Sequence, residues 1–196
     1  MSSPILDFLL SRRSAPISAM TDPGPSEQEI ETLIRIASRV PDHGRLVPWR
    51  FILYRGDARL EIGEKLAALA VEREGELPQA RLDQERQRFA RAPLVIGIVF
   101  CPRESIKIPQ WEMFLSGGAS AMNLLTAASA MGYGAAWITN WYSDDEKGRA
   151  ILGLAPEERV VGFVHIGNYD GSNADRPRPE LDAIVSNYTG PYAGAK

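Results

Sequence analysis

The chain has 196 residues, of which 44% are hydrophobic and 24% charged, so a globular protein with a substantial core is expected. Its net charge of −3 argues against a general nucleic-acid binder, whose phosphate contacts need a basic surface. A single cysteine, Cys101, excludes an intrachain disulfide and a Cys-rich metal site.

In the opening MSSPILDFLLSRR the arginine pair follows a short apolar patch, which is not the order of a secretory signal, and the expected location is cytoplasmic. Ile5, Leu6, Phe8, Leu9 and Leu10 fall at helical spacing over residues 4–13, and Ala15-Pro16 stops that helix. Pro23-Gly24-Pro25 is a turn. Ser26 with Glu29 then forms a capping box for a second helix carrying Ile30, Leu33, Ile34 and Ala37 on one face. Pro41 and Gly44 enforce a loop, and Trp49 to Tyr54 reads as a buried strand.

Asp57 is placed to cap a third helix with Ile62, Leu66, Leu69 and Ala70 in register. Glu72 to Arg91 is dense in mixed charge, with Arg81 and Glu85 at i,i+4. This predicts a solvated helix face, with a mobile lid as the functional alternative. Leu94 to Phe100 is apolar throughout, as in a strand covered on both faces.

Between Glu112 and Asp144 there is no charged residue. Met113, Phe114, Leu115, Met122, Leu124, Leu125 and Met131 fall on every side of a helix, which predicts a central helix covered all round. Pro109 suits its first turn, and Gly132 with Gly134 marks its end. Its many small and polar residues argue against a membrane span and for close approach of another helix, in a subunit interface or a buried core. Ala135 to Thr139 then reads as a short strand, Ser143 with Glu146 as a capping box for a helix through Leu152, and Val160 to Ile166 as a strand. One layer of sheet among helices is expected, of α/β or α+β class.

No GxxxxGK[ST] or GxGxxG motif is present, and the two histidines, His43 and His165, have no metal-site spacing. His165, alternating with Val161 and Phe163, is expected to be a satisfied core histidine, and Cys101 a buried small hydrophobe. Ser116 and Ser120 lack a nucleophile elbow. What remains is three arginine groups: Arg12 and Arg13 at the end of the first helix, Arg39 and Arg45 around the Pro41-Asp42-His43-Gly44 loop, and Arg176 and Arg178 held extended by Pro177 and Pro179. A helix end welcomes cations anyway, but a guanidinium fork also suits a phosphate and the carbonyl edge of a planar heterocycle. A flavin mononucleotide presents both.

Ser11-Arg12-Arg13-Ser14, Arg39-Val40-Pro41-Asp42-His43 leading to Pro48-Trp49-Arg50-Phe51, Met131 to Trp137, Val161 to Gly167 and Arg176-Pro177-Arg178 together resemble the nitroreductase family, in its small compact branch. The resemblance spans nearly the whole chain in the right order. It implies one FMN-binding domain over residues 1–196. The implied fold is an α+β three-layer sandwich, with a mainly antiparallel sheet flanked by helices, assembled as an intertwined homodimer. It also implies FMN at the subunit interface, NAD(P)H as reductant, and nitroaromatic, quinone or related acceptors reduced in a ping-pong hydride transfer. No catalytic side chain, metal, nucleic acid or membrane is called for. By position, Arg12, Arg13 and Ser14 would hold the phosphate and pyrimidine edge. Arg39 and His43 would approach the flavin from the loop, Trp137, Ile138 and Thr139 from the strand, and Arg176 and Arg178 would add charge at the phosphate. Family members often carry Asn and Gln where Arg45 and Val47 stand. The alternatives are a flavin-storage dimer without turnover, another flavin chemistry such as dehalogenation or flavin destruction, and a plain interaction domain.

Overall fold

The computed structural model of the chain describes residues 3–191, and the single domain expected over 1–196 extends outside them at both ends. Strands β1 (Trp49–Arg55), β2 (Leu94–Phe100), β3 (Gly134–Ile138) and β4 (Arg159–Gly167) form one antiparallel sheet in the order β1-β2-β4-β3. The central places go to the strands that are apolar on both faces: every residue of β2 is buried, as is β4 from Val161 onward. At the edge, β1 is only half-buried from Arg50 to Leu53, where a buried strand was expected.

Alternation along the strands splits the core. Ile96, Ile98, Val164 and Ile166 face helices α2 (Glu27–Ala37) and α5 (Gln110–Ala130), whose Leu33, Ala37, Leu124 and Ala128 fill that layer. Val95, Val99 and Phe163 face the other way, toward Ile62 and Leu66 of α3 (Ala58–Glu74), Phe89, Tyr142 and Leu152. Helices α4 (Gln79–Arg86) and α6 (Glu146–Ile151) also belong to that side, whereas α1 (Pro4–Ser11) and α7 (Leu181–Ile184) bury nothing. Each fully buried Leu or Ile contributes about 1.5–3 kcal/mol, and they lie on both faces of the sheet. The result is the expected α+β three-layer sandwich.

Several local expectations change. The capping box of α2 is present, with the Ser26 N–H donating to Glu29 at 2.8 Å. Asp57 precedes α3 but accepts no cap bond. The box expected from Ser143 and Glu146 forms three residues earlier, between Asn140 and Ser143 on a 3-10 turn at Trp141–Ser143, and Asp145 caps α6 through the Gly148 N–H at 2.7 Å. The carboxylate nearest the first free amides wins. Pro109 is the N-cap of α5 rather than part of its first turn.

The charge-rich segment is not simply a solvated face. Glu85 is completely buried and receives both Arg88 nitrogens (2.9 and 3.1 Å), Arg81 Nη1 at 2.6 Å and the Trp141 indole N–H at 3.1 Å. Burial alone would push its carboxyl up; the Arg88 and Trp141 hydrogen bonds and the charges of Arg88 and Arg81 outweigh that, so its pKa is lowered. Such a node ties α4 to the chain just after β3.

Helix α5 is not covered all round within one chain. Its sheet side is tight: a Cβ added at Gly117 would lie 2.9 Å from Val161 Cγ2. On the far side Trp111 and Leu115 are 65% and 62% exposed, with Phe114 and Met122 also open. His165 is in the core as expected but is not satisfied: neither ring nitrogen has a hydrogen-bond partner, and burial, aided by the Arg91 charge, drops its pKa to about 3. Cys101 is buried, yet more than a hydrophobe. Its thiol donates to Glu158 at 3.2 Å, and burial, then Glu158, pushes its pKa up to about 11.

Candidate functional site

Backbone hydrogen bonds sew the stretch after α1 onto the free edge of β3 and onto the residue that follows β4. The Ala15 N–H donates to the Ala135 carbonyl at 3.1 Å, and Thr21 and Asn168 exchange two bonds of 2.9 Å. Gly134 makes room, since a Cβ there would sit 2.5 Å from Tyr169 Cβ. On the opposite face of β3 the Trp137 indole occupies the space above Gly162, where a Cβ would fall 1.8 Å from Trp137 Nε1. Arg12, Arg13 and Ser14 are thereby fixed beside β3.

A cleft of about 670 Å³ results. Arg12, Arg13 and Ser14 line it from the first helix end, Ala136, Trp137 and Ile138 from β3, and Arg176 and Arg178 from the late extended segment. Arg12 Nη1 and Arg13 Nε are buried without a hydrogen-bond partner. Burial, and after it the charges of Arg13 and Arg178, lowers the Arg12 pKa. Arg13 Nη1 donates to the carbonyls of Leu10 (2.9 Å) and Arg12 (2.8 Å), and its guanidinium pairs with Asp175. Arg178 Nη1 donates to the Arg176 carbonyl at 2.9 Å. Buried donors of this kind are normally paired, and like charges are normally apart. Together they leave unpaired positive charge gathered in this cleft, although Arg91 Nε and Arg149 Nε are also buried without partners elsewhere.

Not every expected residue is here. Thr139 is exposed and does not line the cleft. Arg39 and His43 lie elsewhere: His43 lines a second cleft of about 490 Å³, beside Asp42, Glu112, Leu115 and Ser116, which shares no residue with the first. His43 Nδ1 and Glu112 Oε1 are 2.7 Å apart, and the Asn123 amide donates to the Arg39 carbonyl at 3.0 Å. The loop after His43 is strained. Gly44, Arg45 and Val47 all have positive φ (72°, 54° and 47°), which for a β-branched valine is costly, about 1–3 kcal/mol. Asp42 holds it, accepting from the Leu46 N–H at 3.1 Å and the Val47 N–H at 2.9 Å.

Two side chains escaped the sequence reading. Asp175 is a carboxylate beside Arg176 and Arg178, and nothing in its spacing marks it out from an ordinary solvated charge. Glu112 is the last charge before the long neutral run, a signal that was visible. Among the described residues no group of His, Cys, Asp and Glu converges in a way that could hold a metal.

The fold and the cleft together define an α+β protein with arginines gathered in a cleft at the edge of an antiparallel sheet. The chain belongs to the nitroreductase family, whose model matches residues 9–168. It is 30% identical over 162 residues to YdjA of Escherichia coli, covering 83% of this chain and 86% of that one; YdjA is provisionally named an NAD(P)H nitroreductase. Among solved structures it resembles a nitroreductase-like family protein from Bacillus cereus, with TM-score 0.78, 21% identity, and 97% and 98% of the two chains covered. It is also similar to the FMN- and NADPH-dependent nitroreductase NfnB of Sphigopyxis sp. strain HMH (TM-score 0.73, 21% identity, 94% and 98% covered). A nitroreductase with bound FMN from Bacteroides fragilis gives TM-score 0.71 at 16% identity, with 95% and 100% covered.

Proposed function

We propose that the protein is an FMN-dependent oxidoreductase that uses NAD(P)H to reduce nitroaromatic, quinone or related acceptors, working as a homodimer in the cytoplasm. The observation that carries this reading is the buried, unpartnered Arg12 Nη1 beside Arg13 and Arg178, in a cleft of about 670 Å³. FMN and NADPH in the description of NfnB, bound FMN in the Bacteroides fragilis protein and NAD(P)H in the name of YdjA support the same reading.

Arg12, Arg13, Ser14 and Arg178 would hold the phosphate and the pyrimidine edge, with Arg176 adding charge. Trp137 and Ile138 would supply an apolar surface for the ring, and Thr139 the backbone beside it. Bound there, FMN would supply ping-pong hydride transfer from the nicotinamide to the acceptor. This chain's residues bind, orient and screen from water, and none need act as a nucleophile.

The dimer is supported by what one chain leaves open. Trp111 and Leu115 on α5, and Ile5 and Leu9 on α1, are large exposed apolar side chains that a second copy would cover. Leu115 also borders the His43 cleft, so a partner seated on α5 would bring Arg39 and His43 toward the flavin of the other chain. Among the described residues no helix is long and apolar enough to cross a membrane.

The test is Arg12→Ala. One lost charged contact costs on the order of 1.5–3 kcal/mol, roughly ten- to a hundredfold in affinity, so the variant is expected to fold and purify with little yellow colour. Full flavin occupancy would refute the assignment. Steady-state oxidation of NAD(P)H with a quinone separates an enzyme from a flavin-storage dimer.

A further inference from the structure

Of the described residues lining the arginine cleft, Asp175 alone carries a negative charge. It lies on an exposed stretch with neither helix nor strand, between β4 and α7. Its carboxylate accepts the Arg176 backbone N–H at 2.7 Å and pairs with the Arg13 guanidinium. These two contacts, the backbone one first, hold its pKa below the usual value, so it is ionised at neutral pH. Arg13 is thereby engaged through both terminal nitrogens, Nη1 by two carbonyls and the other by a carboxylate, while its Nε stays unpartnered. Arg12 Nη1, next to it, has no partner either.

We propose that Asp175 is a built-in competitor for the phosphate of the incoming flavin: it occupies the Arg13 fork before the ligand enters and leaves it when the phosphate arrives. This rests on the flavin reading above and adds to it the residue that sets how strongly the cleft prefers a phosphorylated flavin over an unphosphorylated one. A phosphate dianion and a carboxylate on one guanidinium repel each other. Of the two, the carboxylate is the easier to displace. Its side chain is 69% exposed, an exposed ion pair stabilises little, and its segment has no packed element to hold it. Arg13 stays where it is, because the Leu10 and Arg12 carbonyls hold its other edge. Asp175 thus covers an arginine fork that the two carbonyls already hold in place, and lowers its net affinity for phosphate.

The experiment uses the full chain stripped of flavin, titrated with FMN and with riboflavin by quenching of flavin fluorescence, as wild type, Asp175→Asn and Asp175→Ala. Both variants are expected to bind FMN roughly fivefold tighter, which is the affinity equivalent of an exposed ion pair. Riboflavin affinity should stay unchanged, and the gain for FMN should shrink as salt is raised. Unchanged or weaker FMN binding in both variants overturns the proposal, because Asp175 would then be inert or would serve to orient Arg13. An equal gain for riboflavin overturns it as well, since the effect would not lie at the phosphate. A wild-type chain that binds neither ligand overturns the flavin reading and this proposal with it; the other outcomes all start from a wild type that binds FMN.

Discussion

Two groups of arginines in this chain teach by contrast. Arg88 and Arg50 each meet a carboxylate with two nitrogens: Arg88 grips buried Glu85, and Arg50 grips Glu158 at 2.7 Å twice, with Glu158 also accepting the Ala155 N–H. Arg12 and its neighbours Arg13 and Arg178 crowd together instead, with buried nitrogens left over. The first group is complete within the fold and contributes to it. The second is incomplete within the fold, and it is this group that the proposed flavin phosphate would complete.

The sharpest way to break this contrast is to remove a partner from the complete group. Glu85→Ala leaves Arg88 and the Trp141 indole without their shared acceptor in the interior, and breaking a buried pair costs about 3–5 kcal/mol. Urea unfolding should show that loss; a change below about 1 kcal/mol would place the node outside the stabilising structure.

His165 gives a pH signature of similar sign but smaller size. Its folded pKa of about 3 lies below the unfolded value of 6.5, so the unfolded chain takes up a proton first as pH falls. Stability is therefore expected to drop between pH 6.5 and about 3 by up to about 1.4 kcal/mol per pH unit, and His165→Leu should flatten that window. Below 4.5 Glu158 adds to this: the Arg50 hydrogen bond, first among its causes, depresses its pKa to about 2, so its contribution is present above 4.5 and is lost as pH falls toward 2. An unaltered pH profile in the His165 variant would show that the imidazole is solvated.

Next in size, Arg12→Ala without flavin should lose less than about 1 kcal/mol or even gain stability, because it deletes a partly buried cation that has an unsatisfied nitrogen. A large loss would mean that Arg12 holds the fold rather than a ligand. The smallest effect separates two aspartates by the same rule. Asp145→Ala should cost about 1 kcal/mol and Asp57→Ala a few tenths at most, since only Asp145 bonds a free helix amide. Equal costs would show that cap geometry does not decide.

Much of the fold was legible because burial leaves a mark in the pattern of residues. Leu94–Phe100 can only be a strand covered twice, and Ser26 with Glu29 can only begin a helix well. What stayed hidden depends on contacts between distant segments. Periodicity says that α5 is apolar all round, but not that Trp111 and Leu115 stay open within one chain. Alternation puts His165 in the core, but cannot say that no donor or acceptor waits there. Spacing marked Arg12, Arg39 and Arg178 as unusual without telling that Arg39 lies outside the arginine cleft, that His43 lines another one, or that Asp175 would sit on Arg13.

The two hydrogen bonds between Thr21 and Asn168 join a segment made early in synthesis to one made late. Until Asn168 and the β3 edge beside it have left the ribosome, Arg12 and Arg13 have nothing to be fastened against. Loading with cofactor is thus a step for the finished chain, and a nascent fragment that stops before the last strand would carry the arginines without the cleft.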